Sequence, residues 1–220
     1  MAESSSSTRV KDTTTQMKTQ SIIIKIVGGS IFAAMSLVIS LLTDASLPET
    51  PWGLQWFDPV SIIWILSFFI FGYEAGILTS VVGMVLLFIT DDYAVYLGPL
   101  FKFLATIPLI VVPLIIEKIR KHPITSEHSL KISNLIINWS FSLVIRLIIM
   151  ISFNLFAVFV LFEVEFSGLI SSLTFGSLSG LSAFLILTVL INIIQSISDY
   201  LIPSALVKPI QAGIPNLIPW

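Results

Sequence analysis

Continuous apolar stretches, separated by short polar segments, run through most of this 220-residue chain. The first covers residues 22–42, close to the ~20 residues that a helix needs to cross a bilayer. Its apolar residues are continuous and do not follow the one-sided spacing of a helix on a soluble domain, so the pattern predicts membrane helices. Five further stretches follow at residues 59–71, 75–90, 98–117, 135–162 and 175–203. We therefore predict an all-α membrane protein with six transmembrane helices.

The two ends of the chain differ from this membrane domain, which we place at residues 21–208. Residues 1–20 are rich in Ser and Thr and predict a disordered tail, because so few apolar residues cannot offset the ordering entropy by burial. A cleaved signal peptide is the alternative, although the polar lead is long and the next apolar stretch is nearly a full span. Residues 209–220 contain three prolines and are expected to form an irregular tail.

Charged residues separate into two groups once six spans are drawn. The acidic group follows the first, third and fifth spans: Asp44, Glu49, Asp58, Asp91, Asp92, Glu163 and Glu165. The basic group occupies the other side: Arg9, Lys11, Lys18, Lys25, Lys118, Arg120, Lys121, Lys131 and Lys208. Because basic residues mark the cytoplasmic side of a membrane, we predict a multi-pass protein of the cell membrane with both termini in the cytoplasm.

Composition narrows the chemistry that this membrane domain can perform. Hydrophobic residues make up 55% of the chain and charged residues 11%, with a mean hydropathy of +0.99. The absence of cysteine excludes disulfides and thiolate ligands. Both histidines, His122 and His128, lie in one polar loop, so we expect no metal site in the membrane and no cofactor. The basic residues form no continuous face, which argues against a nucleic-acid partner.

One span carries an arginine, and an arginine in the centre of a bilayer costs about 2.5–3.5 kcal/mol unless it faces protein, water or a ligand. Arg146 is eight residues before Asn154, which places the two within about 80° on the helix and ~12 Å apart along it. In the sixth span, Asn192 and Gln195 share a helix face, and Asn192 lies at a depth similar to that of Arg146. These four residues predict a polar substrate cavity between the fifth and sixth spans. The alternative is a structural contact in which Arg146 pairs with a neighbouring helix and the amides hold the helices together.

Three more residues are candidates for lining such a cavity. Lys102, one turn into the fourth span, either extends to the membrane interface or reaches into the cavity. The connection at residues 43–58 is long for a helix–helix turn, and such loops are often lids. Its Trp52 and Trp56 belong either to an interfacial aromatic belt or to a lid that stacks on a planar ligand.

Small residues recur at intervals of four in the first span, as the pairs Gly29/Ala33 and Ser30/Ala34. Small residues at this spacing let another helix approach closely in lipid. The pairs indicate either packing within this chain or docking onto a separate membrane subunit.

These motifs together resemble the substrate-binding (S) component of energy-coupling factor vitamin transporters, over residues 18–208. The motifs Arg146-xxx-Met150-xxx-Asn154 and Asn192-Ile193-Ile194-Gln195 are most similar to those of the riboflavin type. The other motifs that carry the resemblance are the small residues of the first span, Asp58-Pro59, Gly72 and Gly76 at a short turn, and Gly98-Pro99-Leu100-Phe101-Lys102-Phe103-Leu104-Ala105.

The resemblance implies capture of a vitamin from outside, in the outer half of the helix bundle. It implies association with a membrane coupling subunit through the small residues of the first span, and with two ATPase subunits. The chain itself contains no Gly-rich phosphate-binding motif. Riboflavin or a related flavin is the expected ligand, with thiamine, biotin or a queuosine-type modified base as alternatives.

Other classes of membrane protein explain the sequence less well. An enzyme would need a nucleophile, paired carboxylates or metal ligands at membrane depth, and Asp199 is the only acid well inside an apolar stretch. Because Asp199 lies near the end of its span, we place it at the membrane interface. A channel or stand-alone secondary transporter would be favoured by broken helices or an inverted repeat, and neither is evident. A purely structural protein would not need the polar residues of the fifth and sixth spans.

Overall fold

The computed structural model describes residues 3–44, 56–90, 97–121, 126–161, 168 and 170–214. The elements follow in the order α1 (Glu3–Asp44), α2 (Pro59–Phe71), α3 (Tyr73–Thr90), α4 (Gly98–Ile119), α5 (Ser126–Ser129), α6 (Ile132–Phe156), a π-helical turn (Ala157–Leu161), β1 (Thr174–Phe175), β2 (Leu178–Ser179) and α7 (Gly180–Gly213). The two strands pair antiparallel, with Thr174 opposite Ser179. The structure is therefore almost entirely helical, as predicted.

Four segments are long and apolar enough to cross a membrane: Ser21–Thr43, Gly98–Ile119, Ile132–Val160 and Gly180–Ile210. The distribution of side chains agrees with a lipid environment. In α1, Ile31 and Val38 are 53% and 56% exposed, whereas Ser36 and Ser40 are buried. On this helix the apolar side chains face outward and the hydroxyl side chains face inward, which is the reverse of the usual pattern in a soluble protein. The predicted membrane-embedded class is confirmed.

The other two predicted spans are shorter. α2 has 13 residues and α3 has 18, which correspond to about 20 Å and 27 Å, less than the ~30 Å of a hydrocarbon core. α2 lies in the centre of the bundle, and from Val60 to Phe71 every residue except Ile63 is buried. The count of six spans and the orientation of the termini therefore stay predictions.

Both ends of α2 follow from local sequence. Asp58 caps the first turn by accepting a hydrogen bond from the Val60 backbone N–H at 3.1 Å, and Pro59 occupies the first helical position, where its missing N–H is harmless. The helix ends at Gly72, whose φ of 96° is accessible to glycine and disfavoured for other residues. The chain re-enters a helix at Tyr73, so the turn predicted over residues 72–76 is shorter than expected.

Three predicted boundaries differ from the structure. α1 begins at Glu3, inside the segment predicted to be disordered, because no Gly or Pro interrupts the chain before Gly28. The last helix begins at Gly180 and not near residue 175, because β1 and β2 form a hairpin in which Gly176 and Gly180 have positive φ. It continues through Pro203 to Gly213, beyond the predicted end of the span.

Glycines let α1, α2 and α3 pack closely. A Cβ atom added at Gly76 would lie 2.6 Å from the Cβ of Phe68, and one at Gly28 would lie 2.6 Å from the ring of Phe71. Thr79 of α3 donates a hydrogen bond to the Gly29 carbonyl of α1 at 3.0 Å. These contacts need small residues because the helix backbones approach each other directly.

The two pairs of small residues in the predicted partner interface on α1 differ in their exposure. Gly29 and Ala33 are buried inside the chain, and a Cβ at Gly29 would lie 3.2 Å from the Ala75 carbonyl oxygen of α3. The assignment of Gly29 and Ala33 to a subunit interface is therefore wrong, because α3 covers Gly29 and Ala33 is already completely buried within this chain. Ser30 and Ala34 are exposed, and their role in partner docking stays a prediction.

A second set of helices is organised by a line of buried residues on α6, which we call the polar stripe: Asn134, Asn138, Ser142, Arg146, Met150 and Asn154. Four residues turn a helix by about 400°, so successive members of the stripe drift by about 40° around the axis. The stripe therefore faces α4 near its start, where Asn138 donates to Glu117 at 3.4 Å. It faces α7 at the level of Arg146.

Candidate functional site

The guanidinium of Arg146 is bound by three side chains of α7. Its Nη1 donates to Asp199 Oδ2 at 2.7 Å, its Nε to Asn192 Oδ1 at 3.2 Å, and its Nη2 to Gln195 Oε1 at 3.0 Å. The side chains of Arg146 and Asp199 are 1% and 0% exposed. We call these four residues the Arg146 cluster. The structure thus brings together Arg146, Asn192 and Gln195, as the sequence predicts.

The spacing on α7 explains why one arginine meets three partners. Asn192, Gln195 and Asp199 are three and four residues apart and share one helix face. The amide of Asn192 donates to the Thr188 carbonyl at 2.9 Å, which leaves Oδ1 as its acceptor toward Arg146. A guanidinium carries five N–H donors in a planar fork, so three bonds leave donor capacity for a further acceptor.

Asp199 does not lie where its position in the sequence predicts. The prediction of an interfacial Asp199 is wrong, because its side chain is completely buried inside the bundle against Arg146. A buried carboxylate is tolerated when a cation and hydrogen bonds compensate its lost hydration. The sequence signal was the seven-residue interval from Asn192 to Asp199, which is two helical turns. Arg146 therefore pairs with a neighbouring helix, one of the two alternatives that its sequence position allowed.

Asn154 lies on the same stripe and is buried, as the predicted face requires. Its Nδ2 donates to the Met150 carbonyl of its own helix at 2.7 Å. Within the described residues, no hydrogen bond joins Asn154 to the Arg146 cluster. The neighbouring Phe153 packs edge-on against Phe101 of α4, with ring centroids 5.5 Å apart. This end of the stripe therefore lies next to α4, and within the described residues it makes no hydrogen bond to the guanidinium.

Lys102 belongs to a second polar group, at the start of α2 and α4. Its Nζ lies 3.6 Å from Asp58 Oδ1, and Ser61 donates to Asp58 Oδ2 at 3.2 Å. Thr106 donates to Ser61 Oγ at 2.9 Å and so links α4 to α2. The Lys102 side chain is 22% exposed, so it points inward to Asp58.

The predicted aromatic lid lies mainly outside the described residues. Trp52 lies outside them, and Trp56 is 39% exposed beside Phe57 at 37%. An exposed ring at the start of α2 suits either a membrane belt or a lid, so both interpretations of Trp56 stay open.

A third polar group surrounds Glu117 of α4 and was not predicted from the sequence. Glu117 of α4 is 1% exposed and lies 3.4 Å from His128 Nε2, and it accepts a hydrogen bond from Asn138. Asn134 connects the same region, because it accepts from Arg120 at 3.3 Å and donates to the His128 carbonyl at 2.9 Å. The four-residue spacing of polar residues before Arg146 was the available signal. This spacing was not recognised because each of these polar residues, taken alone, is also typical of a helix end.

The chemistry of these groups is hydrogen bonding and charge compensation. Among the described residues, no set of three His, Asp or Glu side chains is placed to hold a metal ion. Comparisons with known proteins add no assignment, because no family model, curated protein or solved structure matches this chain.

Proposed function

We propose that this protein is a substrate-capture subunit of a membrane importer of the energy-coupling factor type, with riboflavin or a related flavin as the best candidate ligand. The proposal takes its class from the sequence motifs that resemble S components. It includes a six-span topology in the cell membrane with both termini in the cytoplasm. Thiamine, biotin and modified bases are alternative ligands of the same class.

The observation that carries the proposal is the Arg146 cluster. A cation, a carboxylate and two amides meet in the part of the bundle formed by two long apolar helices. Intramembrane ionisable groups are rare and usually mark substrate or ion pathways. Arginine donors and amide groups are suited to read the carbonyl and imide edges of a flat heterocycle. Lys102, which lies 3.6 Å from Asp58 at the start of α2, is a further candidate for contact with the ligand.

Delivery of the ligand would require partner proteins. The chain has no Gly-rich phosphate-binding motif, so ATP hydrolysis would be supplied by separate ATPase subunits through a membrane coupling subunit. Ser30 and Ala34 face outward on α1 and offer small residues for helix docking in lipid. Gly29 and Ala33 take no part in this contact.

A stand-alone secondary transporter is the second candidate. The Arg146–Asp199 pair at 2.7 Å favours it, because charged pairs within membrane spans are common in proton- and ion-coupled carriers. Such a protein would move its substrate without ATPase subunits. Transport by the purified protein alone in liposomes would support this candidate over the capture subunit.

The first experiment is to purify the full chain and record its absorbance spectrum. A co-purified flavin would colour the preparation yellow and would add the visible absorption band of a flavin to its spectrum. A colourless preparation that also fails to bind riboflavin, thiamine and biotin in titration would remove the vitamin-capture proposal.

The second experiment replaces Asn154 with leucine. The proposal includes Asn154 as a ligand contact two turns beyond Arg146 on the polar stripe, so Asn154→Leu should reduce ligand affinity at least ~10-fold. Because Asn154 bonds only to its own helix among the described residues, the protein should stay folded in the membrane. The matched control is Ser152→Leu, which alters an exposed position on the same helix and should leave affinity unchanged. If Asn154→Leu instead removes the protein from the membrane, its role is in helix packing.

A further inference from the structure

A groove of about 310 Å³ lies on the surface of the bundle where α1 meets α3. Its lining is mostly apolar, and its two charged residues form an ion pair: Ile22, Lys25, Ile26, Glu74, Ala75 and Leu78. Ile22 and Ile26 are 55% and 52% exposed, so the groove is open on the outer side of the helices. An apolar lining with a few polar groups is typical of a small-ligand site, and the volume is at the lower end of the range for such sites.

The groove follows from the sizes of the side chains along α1. Gly29 packs directly against α3, where an added Cβ would lie 3.2 Å from the Ala75 carbonyl oxygen. Ile26 and Ile22 lie three and seven residues before Gly29, on the same side of the helix. Because these residues carry large side chains where Gly29 has none, α1 and α3 leave a space between them toward the start of the span.

The position of the groove along the span matches the boundary between headgroups and acyl chains. The first membrane span begins at Ser21, and Lys25 is four residues inside it, about 6 Å along the axis. A lysine at this depth extends its ammonium to the headgroup region and leaves its methylene groups among apolar ones. Ile26 and Leu78 line the groove on the side toward the membrane centre. The ion pair therefore lies at headgroup level, with an apolar channel for an acyl chain next to it.

The charges in the groove determine which headgroup fits it. Lys25 Nζ donates to Glu74 Oε2 at 2.8 Å, and the two side chains are 21% and 53% exposed. An ammonium has three N–H donors and a carboxylate about four acceptor positions, so one bond leaves capacity on both groups for a ligand. Tyr73 adds a hydroxyl 3.5 Å from Glu74 Oε1. Because the two charges compensate each other, the groove suits a headgroup that also carries both signs.

We propose that this groove binds one phospholipid whose headgroup contains a phosphate and a primary ammonium, as in phosphatidylethanolamine. Basic residues between membrane helices bind lipid headgroups, so the phosphate lies at Lys25. Glu74 accepts from the primary ammonium, whereas the trimethylated ammonium of phosphatidylcholine has no N–H to donate. An anionic headgroup would place a second negative charge beside Glu74. Isoleucines at positions 22 and 26 do not allow the close approach that favours a partner helix in lipid. The site does not depend on the identity of the captured ligand.

The experiment is thermal unfolding of the purified full chain in detergent with added phosphatidylethanolamine, phosphatidylcholine or phosphatidylglycerol, all with the same acyl chains. A ligand that binds the folded state raises the midpoint temperature by an amount that grows with its concentration. We expect a saturable rise with phosphatidylethanolamine. The half-maximal shift should require about tenfold less of it than of either other lipid.

Two variants test the roles of the charged residues. Glu74→Gln keeps the size of the side chain and leaves the Lys25 charge uncompensated, so the order should reverse and phosphatidylglycerol should bind more tightly than phosphatidylethanolamine. Lys25→Met removes the phosphate contact and should raise the half-maximal concentration of phosphatidylethanolamine about tenfold. Lys208→Met is the matched control, because it removes an exposed lysine from α7, outside the groove. Its lipid response should equal that of the unchanged protein.

Three results would overturn the site. Equal responses of the unchanged protein to the three lipids would show that the groove takes any acyl chain without reading the headgroup. No saturable response to any of them would leave the groove to another occupant, such as a partner helix. An unchanged lipid order in Glu74→Gln would place the headgroup elsewhere. If the variants do not fold, native mass spectrometry of the unchanged protein in an equal mixture of the three lipids gives the decision. Retention of one phosphatidylethanolamine molecule supports the site, and equal retention of all three overturns it.

Discussion

The helices α1, α2 and α3 and the helices α4, α6 and α7 are held together by different interactions. In the first group, glycines allow close backbone approach, and neutral hydroxyls bond across the contact, as in Ser67 to Thr79 at 2.7 Å. In the second group, an arginine, carboxylates and amides face one another, with Arg146 and Asp199 at 2.7 Å. Inside the hydrocarbon core of a bilayer, polar atoms must find their partners within the protein.

The difference shows two ways to pack helices in lipid. Close packing of small residues distributes the stabilisation over many weak contacts, each of which is sensitive to shape. A buried ion pair concentrates it in one contact, whose loss leaves an uncompensated charge. The first group therefore resembles a scaffold, whereas the second contains groups whose placement is costly enough to suggest a function. Three substitutions test this contrast.

The largest effect is expected for Asp199→Leu. Removing one partner of a buried pair leaves Arg146 charged in an apolar interior, which destabilises by about 3–5 kcal/mol. The measurement is the unfolding midpoint in detergent. The double variant Arg146→Met with Asp199→Leu removes both charges and should recover most of the lost stability. A harmless single variant would show that water reaches Arg146 and that the pair contributes little to the fold.

An intermediate effect is expected for Gly76→Ala in the first group. The added Cβ would lie 2.6 Å from Phe68 Cβ and 3.0 Å from its Cα, so the α2 and α3 backbones must separate, at about 1–3 kcal/mol. Gly213→Ala is the control, because a Cβ there meets nothing within 4 Å. Equal midpoints for the two variants would mean that α2 and α3 are not packed closely at Gly76.

The smallest effect is expected for Thr79→Val. This change keeps the shape of the side chain and removes its hydrogen bonds to Ser67 and to the Gly29 carbonyl. Hydrogen bonds between membrane helices contribute about 0.6 kcal/mol on average, so the loss should stay near 1 kcal/mol. A loss as large as that of Asp199→Leu would show that hydroxyl bonds, and not glycine contacts, dominate the first group.

The extent to which sequence predicts the site differs between residues. The sequence placed Arg146 together with Asn192 and Gln195, because polar side chains in long apolar stretches are unfavourable unless they bind one another. The sequence did not place Asp199 or Glu117 in the interior. An acidic residue near the end of an apolar stretch can be either solvated at the membrane surface or buried against a partner. The polar stripe was not recognised because its four-residue period drifts around the helix and contacts two different neighbours.

The apolar stretches, by their length, continuity and composition, determined on their own that this protein is helical and lies in a membrane. A bilayer requires apolar side chains and internally bonded backbone, and a single segment of the chain can meet both requirements. Helix ends at Asp58 and Gly72 were also local, since capping and a positive φ depend on adjacent residues. Only the tertiary structure decided that α3 covers Gly29, that Ala33 is buried within the chain, and that Asp199 is the partner of Arg146. These outcomes depend on which helix faces are neighbours, and that choice is made by packing of the whole bundle.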